Sequence, residues 1–129
     1  MSERPSTRWR RKVTEQAAAV AAGTVKHDEA TAALLWPAGF TDAVDAVLDA
    51  YEREIAGLPT PGDGELWAAV ERVVTALNEV DGGHIETGER EELAEYIDAV
   101  LTGAGVDVAA LTSRRGLHRS ELTDTWREW

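Results

Sequence analysis

The stretch FTDAVDAVLDAYEREI, residues 40–55, repeats its apolar side chains at steps of three and four residues. The positions between them hold the carboxylates Asp42, Asp45, Asp49 and Glu52. This spacing places an apolar stripe and an acidic stripe on different faces of an α-helix. We therefore predict a helix here, with Thr41 as its N-cap and Gly57 at its end.

The same apolar spacing occurs twice more downstream, over residues 65–80 and 88–103. The segment LPTPGDG, residues 58–64, predicts a turn before the first of these helices, because its two prolines cannot continue a helix. Two consecutive glycines, Gly82 and Gly83, stop that helix, and Thr87 is the predicted N-cap of the next one.

Shorter segments flank these three helices. Asp107 is placed to begin a short helix, and Gly116 separates it from a last helical segment that bears Leu122 and Trp126. Upstream, residues 6–22 and 28–36 favour helix by composition. Since no segment alternates as a strand requires, we predict an all-α, single-domain bundle of five to seven helices with short Gly/Pro loops.

Length and composition restrict the function classes. The chain has 129 residues, no cysteine and a net charge of −11. The missing cysteines exclude disulfides, thiolate nucleophiles and cysteine-ligated zinc. No apolar stretch approaches the roughly 20 residues that span a bilayer, so no membrane partner is predicted. A cytoplasmic location is the expectation.

Charge is unevenly distributed along the chain. Residues 1–12 hold five basic residues and one acidic residue, whereas residues 28–107 hold 19 acidic and three basic ones. We therefore separate a basic N-terminal arm or helix, residues 1–26, from an acidic helical domain, residues 27–129. The arm could contact nucleic acid, but the acidic body repels phosphate, so no nucleic-acid partner is predicted. The favoured alternative places the arm across the acidic body of its own chain or of a second copy.

No motif for catalysis or metal binding is present in the sequence. The three histidines, His27, His84 and His118, lie far apart, and neither HExxH nor GxSxG occurs. The glycine pairs lack the lysine of a phosphate-binding loop. We predict a protein that is not an enzyme, with no cofactor and no metal. A small-molecule enzyme stays a further hypothesis, and it would need a cleft with convergent polar groups.

The densest local feature is the tract IETGEREEL, residues 85–93. It has the composition of a helix start, because carboxylates are favourable in a first helical turn. It can also present an anionic edge to arginine and lysine side chains of a partner. The predicted partner-binding residues in and just beyond this tract are Glu86, Glu89, Arg90, Glu92 and Tyr96.

Five tryptophans are many for a chain of this length. Trp67 lies on an apolar stripe and is predicted to be in the core, and Trp36 is predicted to fill a helix junction. Trp9, Trp126 and Trp129 lie near the termini. Either the termini fold back on the body or these rings are exposed anchors of the kind found at interface hot spots. On the second alternative, Trp126 and Trp129 are candidate partner-binding residues.

Residues 66–105 carry the pattern Leu66-Trp67, Leu77-Asn78-Glu79, Ile85-Glu86-Thr87 and Glu89-Arg90-Glu91. This pattern resembles small bacterial immunity-type proteins, which neutralise the toxin domains of polymorphic toxin systems. The resemblance implies a small, acidic, non-enzymatic inhibitor that covers the active site of a toxin. It assigns no contact residue by residue.

Two function hypotheses follow. The leading one is an immunity or antitoxin-type protein, monomeric or homodimeric, whose protein partner is a cationic toxin domain. The alternative is a self-associating helical structural or regulatory protein, in which the basic arm docks on the acidic body of a neighbour. Charge complementarity would increase the association rate in both.

Overall fold

The structure is a computed structural model that describes residues 3–129. Six α-helices follow one another: α1 (Pro5–Ala21), α2 (Ala32–Leu35), α3 (Ala38–Ala56), α4 (Asp63–Val80), α5 (Thr87–Gly103) and α6 (Val108–Ser113). Short 3-10 turns lie at His27–Glu29 and Arg119–Glu121. Residues 3–129 contain no strand, so the prediction of an all-α bundle is confirmed.

The bundle is built on the pair α3 and α4, which make the most extensive helix contact. Helix α1 lies against α3 and α5, and α5 also contacts α3 and α6. The predicted apolar stripes supply the centre of the core, and the fully buried side chains on α3, α4 and α5 include Val44, Leu48, Val70, Leu77, Leu93 and Ile97. Burying each of these contributes about 1.5–3 kcal/mol relative to exposure.

Two helices begin earlier than the sequence pattern predicts. Helix α3 begins at Ala38 after Pro37, so Thr41 lies inside its first turn and donates a hydrogen bond to the Ala38 carbonyl at 3.1 Å. The predicted N-cap at Thr41 is therefore wrong. Helix α4 begins at Asp63, where Glu65 Oε1 accepts the backbone N–H of Gly62 at 3.2 Å. The N–H groups of a first helical turn have no acceptor within the helix, so prolines at the helix start remove no helical hydrogen bond. A turn that contains proline can therefore lead directly into α4.

The remaining caps lie close to their predicted positions. Helix α5 has Glu86 as its N-cap, one residue before the predicted Thr87, and Glu89 Oε1 accepts the Glu86 N–H at 3.1 Å. The predicted start at Asp107 is confirmed, since Asp107 Oδ1 accepts the N–H of Ala110 at 3.0 Å.

Two predicted helical segments are shorter than expected. Residues 28–36 form a 3-10 turn and the one-turn helix α2, because a residue that precedes proline, here Trp36, is disfavoured in the α conformation. The last predicted helix is wrong, since Arg119–Glu121 is a 3-10 turn and residues 122–126 continue as turns.

Candidate functional site

Helix α1 lies with its arginines along the acidic stripe of α3. Arg4 Nε donates to Glu52 Oε2 at 2.8 Å, and Arg10 pairs with Asp45 and, at 2.6 Å, with Asp42. Ser6 donates a further hydrogen bond to Asp45. The basic arm, from residue 3 onward, therefore lies across the acidic body of its own chain; residues 1 and 2 lie outside the described residues.

Trp9 is the apolar anchor of this helix. Its side chain is 0% exposed, and its ring stacks on Trp36 and Phe40 with centroid distances of 6.2 and 5.7 Å. Its indole N–H donates to Glu92 Oε2 at 2.8 Å, and Arg8 pairs with the same carboxylate at 2.7 Å. Trp9 is thus a core residue that holds α1 on α5.

Asp45 lies at the centre of the contact between α1 and α3. Burial raises its pKa, but hydrogen bonds from Ser6 and Arg10, together with the positive charges of Arg10 and Arg4, outweigh burial and hold the pKa below its usual value. The folded protein therefore favours the ionised carboxylate. This contribution to stability is present above the unfolded pKa of about 3.9 and is lost as the pH falls through the lower folded pKa.

We expect Asp45→Asn to lower the free energy of unfolding at neutral pH by about 1–2 kcal/mol, because charge-assisted hydrogen bonds are lost. The difference from the wild-type protein should begin to shrink below about pH 4 and disappear as the pH falls through the lower folded pKa, because the Asp45 carboxyl is then protonated in the folded protein as well. Urea unfolding at several pH values measures this. Asp42→Asn is the control, since Asp42 is well exposed and contacts Arg10 alone, so its effect should be smaller. A difference for Asp45→Asn that does not change with pH would contradict the assignment.

The second charged surface lies where α4 ends, α5 begins and the last residues of the chain meet them. Asn78 holds this segment by two hydrogen bonds of 2.9 Å, one to the Trp126 carbonyl and one from the Glu128 N–H. From α5, Arg90 Nε donates to the Trp129 carbonyl at 3.1 Å. Residues 126–129 are therefore fixed between the two helices.

Four exposed carboxylates stand at the end of α4, at the start of α5 and in this segment, and we call them the acidic edge: Glu79, Glu86, Glu91 and Glu128. Among residues 3–129, no side-chain hydrogen bond or ion pair is found for Glu79, Glu91 or Glu128. The carboxylates of α3 differ, because all five pair with arginine: Asp42, Asp45, Asp49, Glu52 and Glu54. The acidic edge is thus free anionic surface, whereas the acidic face of α3 is neutralised within the chain.

The structure brings part of the predicted partner-binding set to the acidic edge. Glu86 is exposed there, Glu89 is half-buried and caps the start of α5, and Arg90 is half-buried against the last residues of the chain. Glu92 and Tyr96 lie on another face of α5. Glu92 binds Trp9 and Arg8, and the buried Tyr96 hydroxyl donates to Glu52 Oε2 at 2.9 Å.

The terminal tryptophans fold back on the body, which is one of the two alternatives considered above. Trp129 is 6% exposed, and its indole N–H points to the Val74 carbonyl at 3.5 Å. Trp126 is half-buried against Trp67, with ring centroids 6.1 Å apart. Trp67 is buried in the core and Trp36 is half-buried at the helix junction, as predicted.

A groove of about 990 Å³ lies between α5 and residues 118–127. Arg119 crosses it and forms two hydrogen bonds with Asp98, at 2.7 and 2.8 Å, which lower the pKa of that carboxyl. Glu91 and Glu95 line the same groove. The sequence gives no signal for the pair of Asp98 and Arg119, because 21 residues separate them and the turn that carries Arg119 has no periodic pattern.

The fold and these surfaces define an all-helical bundle with one internally neutralised acidic helix face and one free acidic edge. Comparison with protein-family models, with curated proteins and with solved structures finds no match. Within residues 3–129, no helix is both long enough and apolar enough to span a lipid bilayer.

Proposed function

We propose that this protein is an immunity-type inhibitor that binds a cationic toxin domain and occludes its active site. The observation that carries the proposal is the contrast between the two acidic surfaces. Arginines of the same chain pair with the five carboxylates of α3, and Arg4 and Arg10 at α1 pair with four of them, whereas Glu79, Glu91 and Glu128 form no ion pair within residues 3–129. On this proposal the protein acts by binding and not by catalysis.

The free carboxylates suit recognition of lysine and arginine. A partner that binds Glu79 or Glu91 displaces only water, whereas a partner that binds α3 must first break arginine pairs within the chain. Charged groups at an interface mainly increase the association rate and select the partner. A cationic cleft, such as one that binds a phosphate-containing substrate, has the complementary charge.

The acidic edge also stands on rigid supports. Glu79 lies in the last turn of α4, Glu91 lies near the start of α5, and Glu128 follows a segment that Asn78 and Arg90 hold in place. A preorganised surface loses little conformational entropy on binding, so more of the interaction energy appears as affinity.

The resemblance to immunity-type proteins falls on the same tract. Its most specific parts are Leu77-Asn78-Glu79 and the tract from Ile85 to Glu91. These residues end α4 and begin α5, so they form most of the acidic edge. The same tract therefore carries both the resemblance and the free negative charge.

We expect the double variant Glu79→Lys/Glu91→Lys to slow association with a cationic toxin domain by about tenfold or more, because electrostatic steering is reversed. The partner to use is a cationic toxin domain of a polymorphic toxin system, in a catalytically intact form and in a form with an inactivated catalytic site. Stopped-flow fluorescence with the inactivated domain over a series of salt concentrations gives the association rate. An activity assay with the catalytically intact domain gives the inhibition.

The matched control is Asp28→Lys/Glu29→Lys, which changes the net charge equally on exposed residues of the 3-10 turn between α1 and α2. It should retain most of the wild-type association rate. Equal losses in both variants would show that net charge alone matters, and an unchanged rate for the edge variant would overturn the proposed surface.

A further inference from the structure

We propose that α2 and the groove beside it form an interface between two copies of this chain. The surface consists of Leu34, Leu35 and the groove between α1 and α2, and we call it the leucine patch. This inference goes beyond the proposed function and uses none of the residues of the acidic edge.

The two leucines are the exposed large apolar residues of the part of the chain that the structure describes. Leu34 is 75% exposed and Leu35 is 47% exposed. They are held in place, because the N–H of the buried Ala32 donates to Gln16 Oε1 at 2.6 Å and so joins α2 to α1. A single exposed leucine is ordinary, but two neighbours on an anchored helix form a continuous apolar projection.

A cavity lies directly beside this projection. The groove has a volume of about 450 Å³, and Val25, Ala32, Leu35 and Trp36 form its apolar lining. A two-fold interface uses the same surface on both copies, so that surface must be complementary to itself. On this proposal a two-fold axis sets Leu34 of each copy in the groove of the other.

The distribution of charge favours this surface over others for self-association. Residues 3–36 carry six basic and four acidic residues, whereas residues 37–129 carry seven basic and 20 acidic ones. Two copies that met through their acidic bodies would repel each other. Four of the six basic residues of this segment already pair with carboxylates. The exposed charges that remain near the leucine patch in the chain are mixed, namely Lys12, Lys26, Glu15, Asp28 and Glu29.

The rim of the groove carries both signs of charge. Lys12 and Glu15 line it, and Lys26 follows Val25 directly. Among the described residues, Lys12 and Lys26 form no ion pair, and Lys12 lies over the Trp36 ring at 5.6 Å from its centroid. Opposite charges on one rim can pair across a two-fold axis, which fits a second copy better than a strongly charged partner.

Sedimentation velocity over a concentration series tests the proposal. We expect the wild-type protein to pass from monomer to dimer with rising concentration, as a transient complex with a small interface does. Leu34→Glu/Leu35→Glu should weaken the dimer at least about tenfold, because each copy would place two carboxylates in an apolar contact. Both residues are exposed, so the circular dichroism spectrum and the thermal midpoint should stay close to those of the wild-type protein.

The matched control is Ala46→Glu/Ala50→Glu, which adds the same charge on exposed positions of α3. It should dimerise like the wild-type protein. A wild-type chain that stays monomeric at every concentration would overturn the proposal. A dimer that persists in Leu34→Glu/Leu35→Glu would also overturn it, and so would a dimer that both variants weaken equally.

A lipid surface is the alternative occupant, and flotation with vesicles of phosphatidylserine and phosphatidylcholine tests it. Monomeric wild-type protein that floats with the vesicles, with the leucine variant failing to do so, would assign the patch to lipid and overturn the dimer. These outcomes are independent of the toxin-binding assay, so either proposal can fail alone.

Discussion

Trp9→Ala is expected to lower the free energy of unfolding by about 3–5 kcal/mol, the range for truncation of a fully buried tryptophan. The Trp9 ring is fully buried and stacks on Trp36 and Phe40. Its loss leaves a cavity at the place where α1 meets α3 and α5. Since domains of this size are stable by about 5–15 kcal/mol, the change removes a large share of the total.

The effect of Trp9→Ala should extend to the charged contacts of α1. Arg4 and Arg10 pair with α3 because Trp9 holds their helix in register. If α1 separates from the body, Asp42, Asp45 and Glu52 lose their arginines, and the carboxylates of α3 repel one another. We therefore expect the stability of Trp9→Ala to depend more strongly on salt than that of the wild-type protein, because salt screens this repulsion.

Chemical denaturation followed by circular dichroism measures the loss. Trp9→Phe is the informative companion, since it retains most of the apolar volume and loses the N–H that binds Glu92. We expect Trp9→Phe to lower the free energy of unfolding by about 1–2 kcal/mol more than a neutral surface substitution does. Thr7→Ala, on the exposed side of the same helix, is the control and should stay within about 0.5 kcal/mol of the wild-type protein. A Trp9→Ala chain as stable as that control would contradict the role given to Trp9.

The three long helices α3, α4 and α5 could be predicted from the sequence because the information is local. Their apolar side chains recur every three or four residues, and glycines or prolines mark their ends. The way α1 packs could not be predicted, since its alanine-rich sequence has no clean apolar stripe. Trp9 and the arginines position that helix through partners more than 30 residues away.

The candidate site shows the same limit. The tract at residues 85–93 predicts an anionic edge, and the start of α5 provides one. However, adjacent helical residues point about 100° apart, so Glu91 faces the groove while Glu92 faces α1. The sequence alone does not show which face of α5 another helix covers, and for this reason it predicts Glu92 and Tyr96 on the same surface as Glu86.

The return of the last residues onto the body was also open from the sequence. A tryptophan near a chain end can be an anchor for a partner or part of the core, and composition does not distinguish the two. Asn78 and Arg90 decide between them, because they bind backbone groups at Trp126, Glu128 and Trp129. Neither side chain belongs to an apolar pattern that would have indicated this role.

Trp129→Ala is the second substitution with a large expected effect, a loss of about 3 kcal/mol in the free energy of unfolding. The ring is almost fully buried near Val74, and Arg90 holds its carbonyl. Its removal should also loosen Trp126 from Trp67, which near-ultraviolet circular dichroism detects as a weaker aromatic signal.

Trp129→Ala also separates two roles for the tryptophan. A partner anchor would weaken toxin binding and leave the free protein stable, because an exposed ring contributes little to folding. If Trp129 is a core residue, its removal lowers the stability of the free protein. Toxin binding then weakens only because the segment that supports the acidic edge becomes less ordered. Thr125→Ala is the control, since that side chain is exposed and does not belong to the acidic edge. If Trp129→Ala left the thermal midpoint unchanged and abolished binding, Trp129 would act as an anchor, contrary to the packing described above.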